Sequence, residues 1–224
     1  MTAVAQHHIS QSELGAQTRE RLVEAAERLF AQRGFAMTSV RDVTAAAGCN
    51  LAAVNYHFGS KLNLYQEVFR RRLAAMRQQR VASIRDTMAR TGSPATLEQL
   101  IEAFADAFLA SLMDQGRGHH LIELISREML DPQLPRELFL TEVVEPVHGE
   151  LARAMMAAAP GLRHGPARLC VMSIVGQLLQ VAQRLRRAEL AAGWEAELPP
   201  IPAIVDQIAR FSAAGVRASA ETPE

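Results

Sequence analysis

Between Thr38 and Lys61 the chain reads TSVRDVTAAAGCNLAAVNYHFGSK, two short helical segments parted by one glycine. Thr38 or Ser39 caps the first segment, and Asp42 lies three residues past Ser39, the spacing of a capping box. Val40, Val43 and Ala47 share one face at helical spacing. Gly48 supplies the bend, where a left-handed backbone favours glycine. Asn50 caps a second short helix, Leu51 to Tyr56, and Ser60 caps a third. A short helix, a glycine turn and another short helix is the layout of a helix-turn-helix. The second helix of that motif enters the DNA major groove.

The side chains of the second segment suit that task. Leu51, Ala52 and Ala53 are small or uncharged, so the backbone can come close to base edges. Asn50, Leu51, Ala52, Ala53 and Asn55 are expected nearest the bases. Thr38, Ser39, Tyr56, His57 and Lys61 are expected on phosphates, and Arg41 joins the DNA-contact set. Phe58 is expected in the core, where phenylalanine usually lies.

Outward from this motif, Leu22, Ala25, Ala26, Leu29 and Phe30 predict a helix over 17–32 that Gly34 stops. It completes a three-helix module. A long helix is predicted over 60–89, with Leu64, Val68, Leu73, Met76 and Ile84 in helical period. Arg70, Arg71, Arg72, Arg77, Arg80 and Arg85 make it basic, and the run reads as a solvated face. Thr91-Gly92-Ser93-Pro94 is a linker. Further helices are predicted over 96–114, 119–130, 135–159, 166–192 and 202–214. The predicted organisation is a flexible arm over 1–16, a DNA-binding module over 17–62, a helical domain over 63–216 and a disordered tail over 217–224.

Residues 18 to 65, with the signatures AAERLFAQRGF, TSVRDV, AAAGCN and VNYHFGSK, resemble the DNA-binding domain of the TetR family of bacterial transcription regulators. HLIELISREMLDP followed by VVEPVHGEL resembles the CecR branch of that family more weakly. The resemblance implies an all-α protein. An N-terminal helix-turn-helix domain would be joined by a long helix to a C-terminal domain for ligand binding and dimerisation. It implies a homodimer on a double-stranded DNA operator, with the last two long helices of each subunit forming a four-helix interface.

Composition agrees. Aromatic residues are 5% of the chain, while Ala and Leu are abundant, as in helical proteins. The 24 Lys and Arg balance the 24 Asp and Glu, so a DNA-binding face has to be local. Lys61 is the sole lysine. Cys49 and Cys170 lie far apart and read as free thiols. The N-terminus has no apolar signal segment, and no apolar run reads as long enough to span a membrane. The expected location is the cytoplasm.

Helix 166–192 is apolar nearly all round, which suits burial on two sides. Leu169, Met172, Val175, Gly176 and Leu179 are the candidate dimer contacts, with Gly176 allowing close approach. Phe104 and Phe108, with neighbours from Leu112 to Met155, are candidate walls of an apolar cavity. Glu123, Arg127, His148 and Gln177 are its candidate polar contacts. His119 and His120 are adjacent and point different ways on a helix, and the sequence makes no carboxylate or thiol co-ligand apparent for them. No metal or cofactor is therefore expected. No catalytic set is placed, so the chain is not expected to be an enzyme. The leading reading is a repressor released from a palindromic operator by a small, largely apolar effector. The alternatives are a ligand-independent DNA-binding dimer, controlled by a protein partner or by abundance, and an all-helical enzyme.

Overall fold

The computed structural model describes residues 11–90, 94–113, 117–135, 137–190 and 199–221, and all their regular structure is helical. The helices are α1 (Gln11–Arg33), α2 (Val40–Ala47), α3 (Ala52–Phe58), α4 (Lys61–Arg90), α5 (Leu97–Met113) and α6 (Arg117–Leu130). Next come α7 (Glu137–Phe139), a π-helical turn (Leu140–Val144), α8 (Glu145–Ala158), α9 (His164–Leu190) and α10 (Ile201–Glu221). The chain forms two compact units, one of residues 1–72 and 119–135, the other of 73–118 and 136–224. The predicted boundary near residue 62 thus falls ten residues further on, and the α6 segment 119–135 clusters with the first unit rather than the second.

In the first unit, Leu22, Ala26, Phe30, Val43, Val54, Leu64 and Val68 are fully buried. An aromatic cluster ties α1 to α4: the Tyr65 ring meets Phe30 edge-on at 4.9 Å and lies 5.0 Å from both Phe35 and Phe69. Gly34, with φ +80°, ends α1 as predicted, and its N–H donates to Phe30 O at 2.9 Å. Buried Glu27 accepts both an Nε and an Nη bond from Arg72, at 2.7 and 2.5 Å.

In the second unit, α5 packs on α8, α9 and α10, and α8 on α9. Leu100, Ile101, Phe104, Leu109, Leu151, Met155, Val171, Ile174 and Leu178 form the core. The arginine run on α4 is not simply a solvated face. Arg77 Nη1 donates to Glu142 Oε2 at 3.0 Å, and Arg85 Nε donates to the mostly buried Glu150 at 2.8 Å.

Two sets of expectations do not hold, those for the chain ends and that for apolar runs. The tail is helical through Glu221 rather than disordered from residue 217. Arg217 donates Nη2 to both carboxylate oxygens of Glu98, at 2.6 and 2.8 Å. A Cβ on Gly161 would stand 3.1 Å from Ala220 O, so the α8–α9 turn lies close against the last turn of α10. At the other end, α1 begins at Gln11, within the predicted flexible arm. The second correction concerns α9. Residues 164–185 are long and apolar enough to cross a membrane by length and composition, with a mean hydropathy of 1.2. Only 22% of that stretch is buried, because its apolar residues lie on the outer face as well as the inner one.

Candidate nucleic-acid interface

The site is built on the turn from α2 to α3. Ser39 caps α2 through the full capping box: Asp42 N donates to Ser39 Oγ at 3.1 Å, and Ser39 N donates to Asp42 Oδ2 at 2.9 Å. The Ser39 hydroxyl and main-chain N–H together hold the Asp42 carboxyl below its ordinary range. Gly48 closes α2 in the left-handed region, at φ 61° and ψ 40°. Asn50 Oδ1 then accepts from Ala52 N at 3.0 Å, so the side chain predicted as a cap works as one. Leu51 stands just ahead of the first helical residue, and α3 runs two residues past the predicted end at Tyr56. Gly59, at φ 77°, closes α3, and Ser60 Oγ accepts from Asn63 N at 3.1 Å to start α4.

Val54 anchors α3 in the core at 0% exposure. The opposite face carries Leu51 at 57%, Tyr56 at 84%, and exposed Ala52 and Asn55. Ala53 and His57 are half-buried on the flanks, and Arg41, Ser39 and Asn50 are exposed beside them. His57 and Tyr56 touch edge to face, with ring centroids 4.9 Å apart. Phe58 is half-buried rather than fully in the core, with the Arg19 guanidinium 5.1 Å from its ring centroid.

Two of the expected phosphate contacts have other work. Thr38 is fully buried, and its hydroxyl donates to Gly34 O at 2.8 Å, so its side chain does not face outward. Lys61 Nζ donates to Phe35 O at 2.8 Å and Thr38 O at 2.9 Å, and lies 4.0 Å from the Phe35 ring centroid. Two of its three protons hold the α1–α2 loop. Only one is left for a phosphate.

The predicted effector residues do not form one group. Phe104 and Phe108 are buried together in the second unit, 5.9 Å between centroids. His148, also in that unit, is half-buried. Burial, then the charges of Arg80 and Arg168, holds its pKa below the usual value. Gln177 lies apart from these, lining an open apolar groove between α9 and α10 with Gly176, Val181, Ile204 and Ile208, and its Nε2 donates to Ser212 Oγ at 3.2 Å. Glu123 and Arg127 belong to the first unit. Arg127 donates Nε to Ala31 O and Nη2 to Gln32 O, both at 2.8 Å, and so satisfies carbonyls that the end of α1 leaves open. Its neighbour Glu128 accepts from the Tyr65 hydroxyl at 2.9 Å, and burial, then the Glu128 charge and this bond, push the tyrosine pKa up. Sequence pattern gives no sign of Glu128, whose partners are far away in the chain. No group of three metal-ligating side chains occurs among the described residues.

Leu169 and Met172 are 64% and 61% exposed, Leu179 is 46% exposed, Gly176 is exposed and Val175 half-buried. On α10, Phe211 is 67% exposed. Both helices therefore carry apolar side chains on open faces.

Residues 22–68 match the family model of bacterial regulatory proteins, tetR family, and residues 97–216 match that of the C-terminal domain of the HTH-type transcriptional dual regulator CecR. The CecR regulator of Shigella flexneri is 29% identical over 81% of this chain and 83% of its own length. The HTH-type transcriptional repressor BepR of Brucella suis is 26% identical over 81% of this chain and 73% of its own. A crystal structure of a TetR-family transcriptional regulator from Mesorhizobium loti superposes with a TM-score of 0.65 at 21% identity, covering 91% of this chain and 96% of that one. None of these is an enzyme. With a helix-turn-helix in α2 and α3 and a CecR-type helical domain over most of the rest, the chain belongs to the TetR family of DNA-binding transcriptional regulators.

Proposed function

We propose that the protein is a homodimeric repressor that sits on a palindromic operator and leaves it when a small ligand binds the second unit. The observation that carries the reading is the outer face of α3. Leu51, Ala52, Asn55 and Tyr56 lie open on a short helix whose two ends are fixed by Gly48, Asn50, Gly59 and Ser60. A rigid short helix with small and amide side chains outward suits the major groove. Asn50, Leu51, Ala52, Ala53 and Asn55 read bases, while Ser39, Arg41, Tyr56 and His57 meet phosphates. Thr38 acts from behind as a buried support, and Lys61 holds the loop.

Dimerisation through α9 and α10 is supported by their open apolar residues. Leu169, Met172, Val175, Gly176 and Leu179 on one protomer, with Phe211 of α10, cover the same patch on the other. That two-fold pairing matches a two-fold DNA site. Effector binding in the second unit shifts α4, one unbroken helix from Lys61 to Arg90, and changes the spacing of the two α3 helices. A coupling of about 1–3 kcal/mol alters operator affinity roughly 5–150-fold, and DNA weakens effector binding by the same factor. The protein works in the cytoplasm, where the DNA is.

The test is a reporter driven by the promoter beside the protein's own gene, read with and without the gene. Repression requires higher reporter output in the deletion strain. Lower output would make the protein an activator at that site, and unchanged output with no protected DNA would remove the reading.

A further inference from the structure

Arg71, Arg72, Arg77 and Arg85 on α4 each have a carboxylate partner, in Glu20, Glu27, Glu142 and Glu150. Arg80, on the same helix, has none among the described residues. It is also deeply placed, at 5% exposure. Its Nη2 donates to Ser111 Oγ at 3.2 Å, and the Ser111 hydroxyl gives its own proton to Phe108 O at 2.7 Å. The guanidinium carbon stands 3.9 Å from the centroid of the Phe108 ring. Nε is sealed from solvent and has no hydrogen-bond partner.

A guanidinium in that position is costly while it stays unpaired. Burial alone pushes its pKa down, to about 9. The neighbouring titratable group adds no negative charge: His148 on α8 is itself depressed by burial and by the Arg80 charge. The Phe108 ring under the guanidinium packs in turn on Phe104, 5.9 Å between centroids, and both rings are buried. The π-helical turn Leu140–Val144 just ahead of α8 departs from regular helix here, and Arg77 Nη1 donates to the Glu142 carbonyl in it at 3.1 Å.

We propose that the second unit binds an organic carboxylate with an apolar body, its carboxylate paired with the guanidinium of Arg80. This rests on the effector reading and names the chemical class of the effector. A carboxylate accepts side by side from Nε–H and an Nη–H, the planar fork that arginine offers and lysine does not. It supplies the negative charge that the other arginines of α4 obtain from glutamates. The ligand's apolar body lies on the phenylalanines, and neutral His148 contributes a ring N–H to the head group. A neutral ligand of the same shape leaves the buried charge unanswered.

The experiment uses the full chain without DNA. Thermal-unfolding midpoints are read against concentration of octanoate and benzoate, and of octanol and benzyl alcohol as their uncharged twins. The carboxylates are expected to raise the midpoint at concentrations at least about tenfold below those of the alcohols. Arg80→Met keeps the stem over Phe108 and removes the charge. It is expected to raise the ligand-free midpoint and to erase the preference for carboxylates. Alcohols as effective as acids in the wild type, no shift with either acid, or a preference that survives in Arg80→Met would each overturn the proposal. The comparison of acid with alcohol in the wild type stands even if the variant folds poorly. Because no DNA is present, failure here leaves the DNA-binding reading intact, and failure of operator binding leaves this result standing.

Discussion

Lys61 Nζ donates to the main-chain carbonyl of Thr38 at 2.9 Å, across 23 residues of sequence. The bond fixes the start of α4 to the loop that presents α2, so the helix-turn-helix is held from behind by its own cation. Lys61→Met should lower stability by about 1.5–3 kcal/mol, the usual worth of bonds to a charged donor. It should weaken binding to every duplex alike without changing the salt slope. Urea unfolding and salt titrations check this. A slope smaller by about one, with stability unchanged, would make Lys61 a phosphate ligand instead.

Asn55 and Tyr56 are neighbours with different tasks. Asn55→Ala should cost about 1–3 kcal/mol against the preferred base at one operator position and relax the preference there. Tyr56→Phe removes only a hydroxyl and should weaken all sequences equally. Competition with singly substituted duplexes separates the two. A uniform loss from Asn55→Ala would move that residue to the phosphate backbone.

Leu169 and Met172 are open to solvent in the single chain, so a charge there does little to the fold of a monomer. Leu169→Glu with Met172→Glu should convert a dimer into a monomer in sedimentation, with the helical circular dichroism retained. A double variant that remains dimeric would place the interface elsewhere.

His148 gives a dependence on pH. Its folded pKa is depressed, so the unfolded chain takes up a proton first as pH falls below about 6.5. Its contribution to stability is whole above that value and is lost as pH drops toward the folded pKa. Melting temperatures from pH 8 to 5 should fall more steeply for the wild type than for His148→Gln. Parallel curves would show that His148 titrates alike in both states.

Much of the interface is legible in the sequence because its determinants are local. Ser39 and Asp42 sit three apart, Gly48 supplies a left-handed turn, and Asn50 caps α3, so sequence spacing alone specifies the geometry. The illegible part depends on distant main-chain atoms. Lys61 reaches carbonyls of residues 35 and 38, and Arg127 reaches those of residues 31 and 32; no periodicity announces either. The tail through Glu221 reads as disordered because it is small and polar. Its order comes from Arg217 on Glu98 and the close fit of Gly161 to Ala220. The arginines of α4 read as one solvated run, since composition does not tell which guanidinium finds a glutamate and which is buried without one.

The most direct test is fluorescence anisotropy of a duplex selected from random sequences by the protein itself, titrated over a range of salt against a scrambled duplex. The expected result is a palindromic selected site, two protomers bound, and affinity about 10³-fold or more above the scrambled control. Binding should fall steeply with salt, as released counterions require. Equal affinity for selected and scrambled duplexes, or one protomer per palindrome, would contradict sequence-specific binding by a dimer.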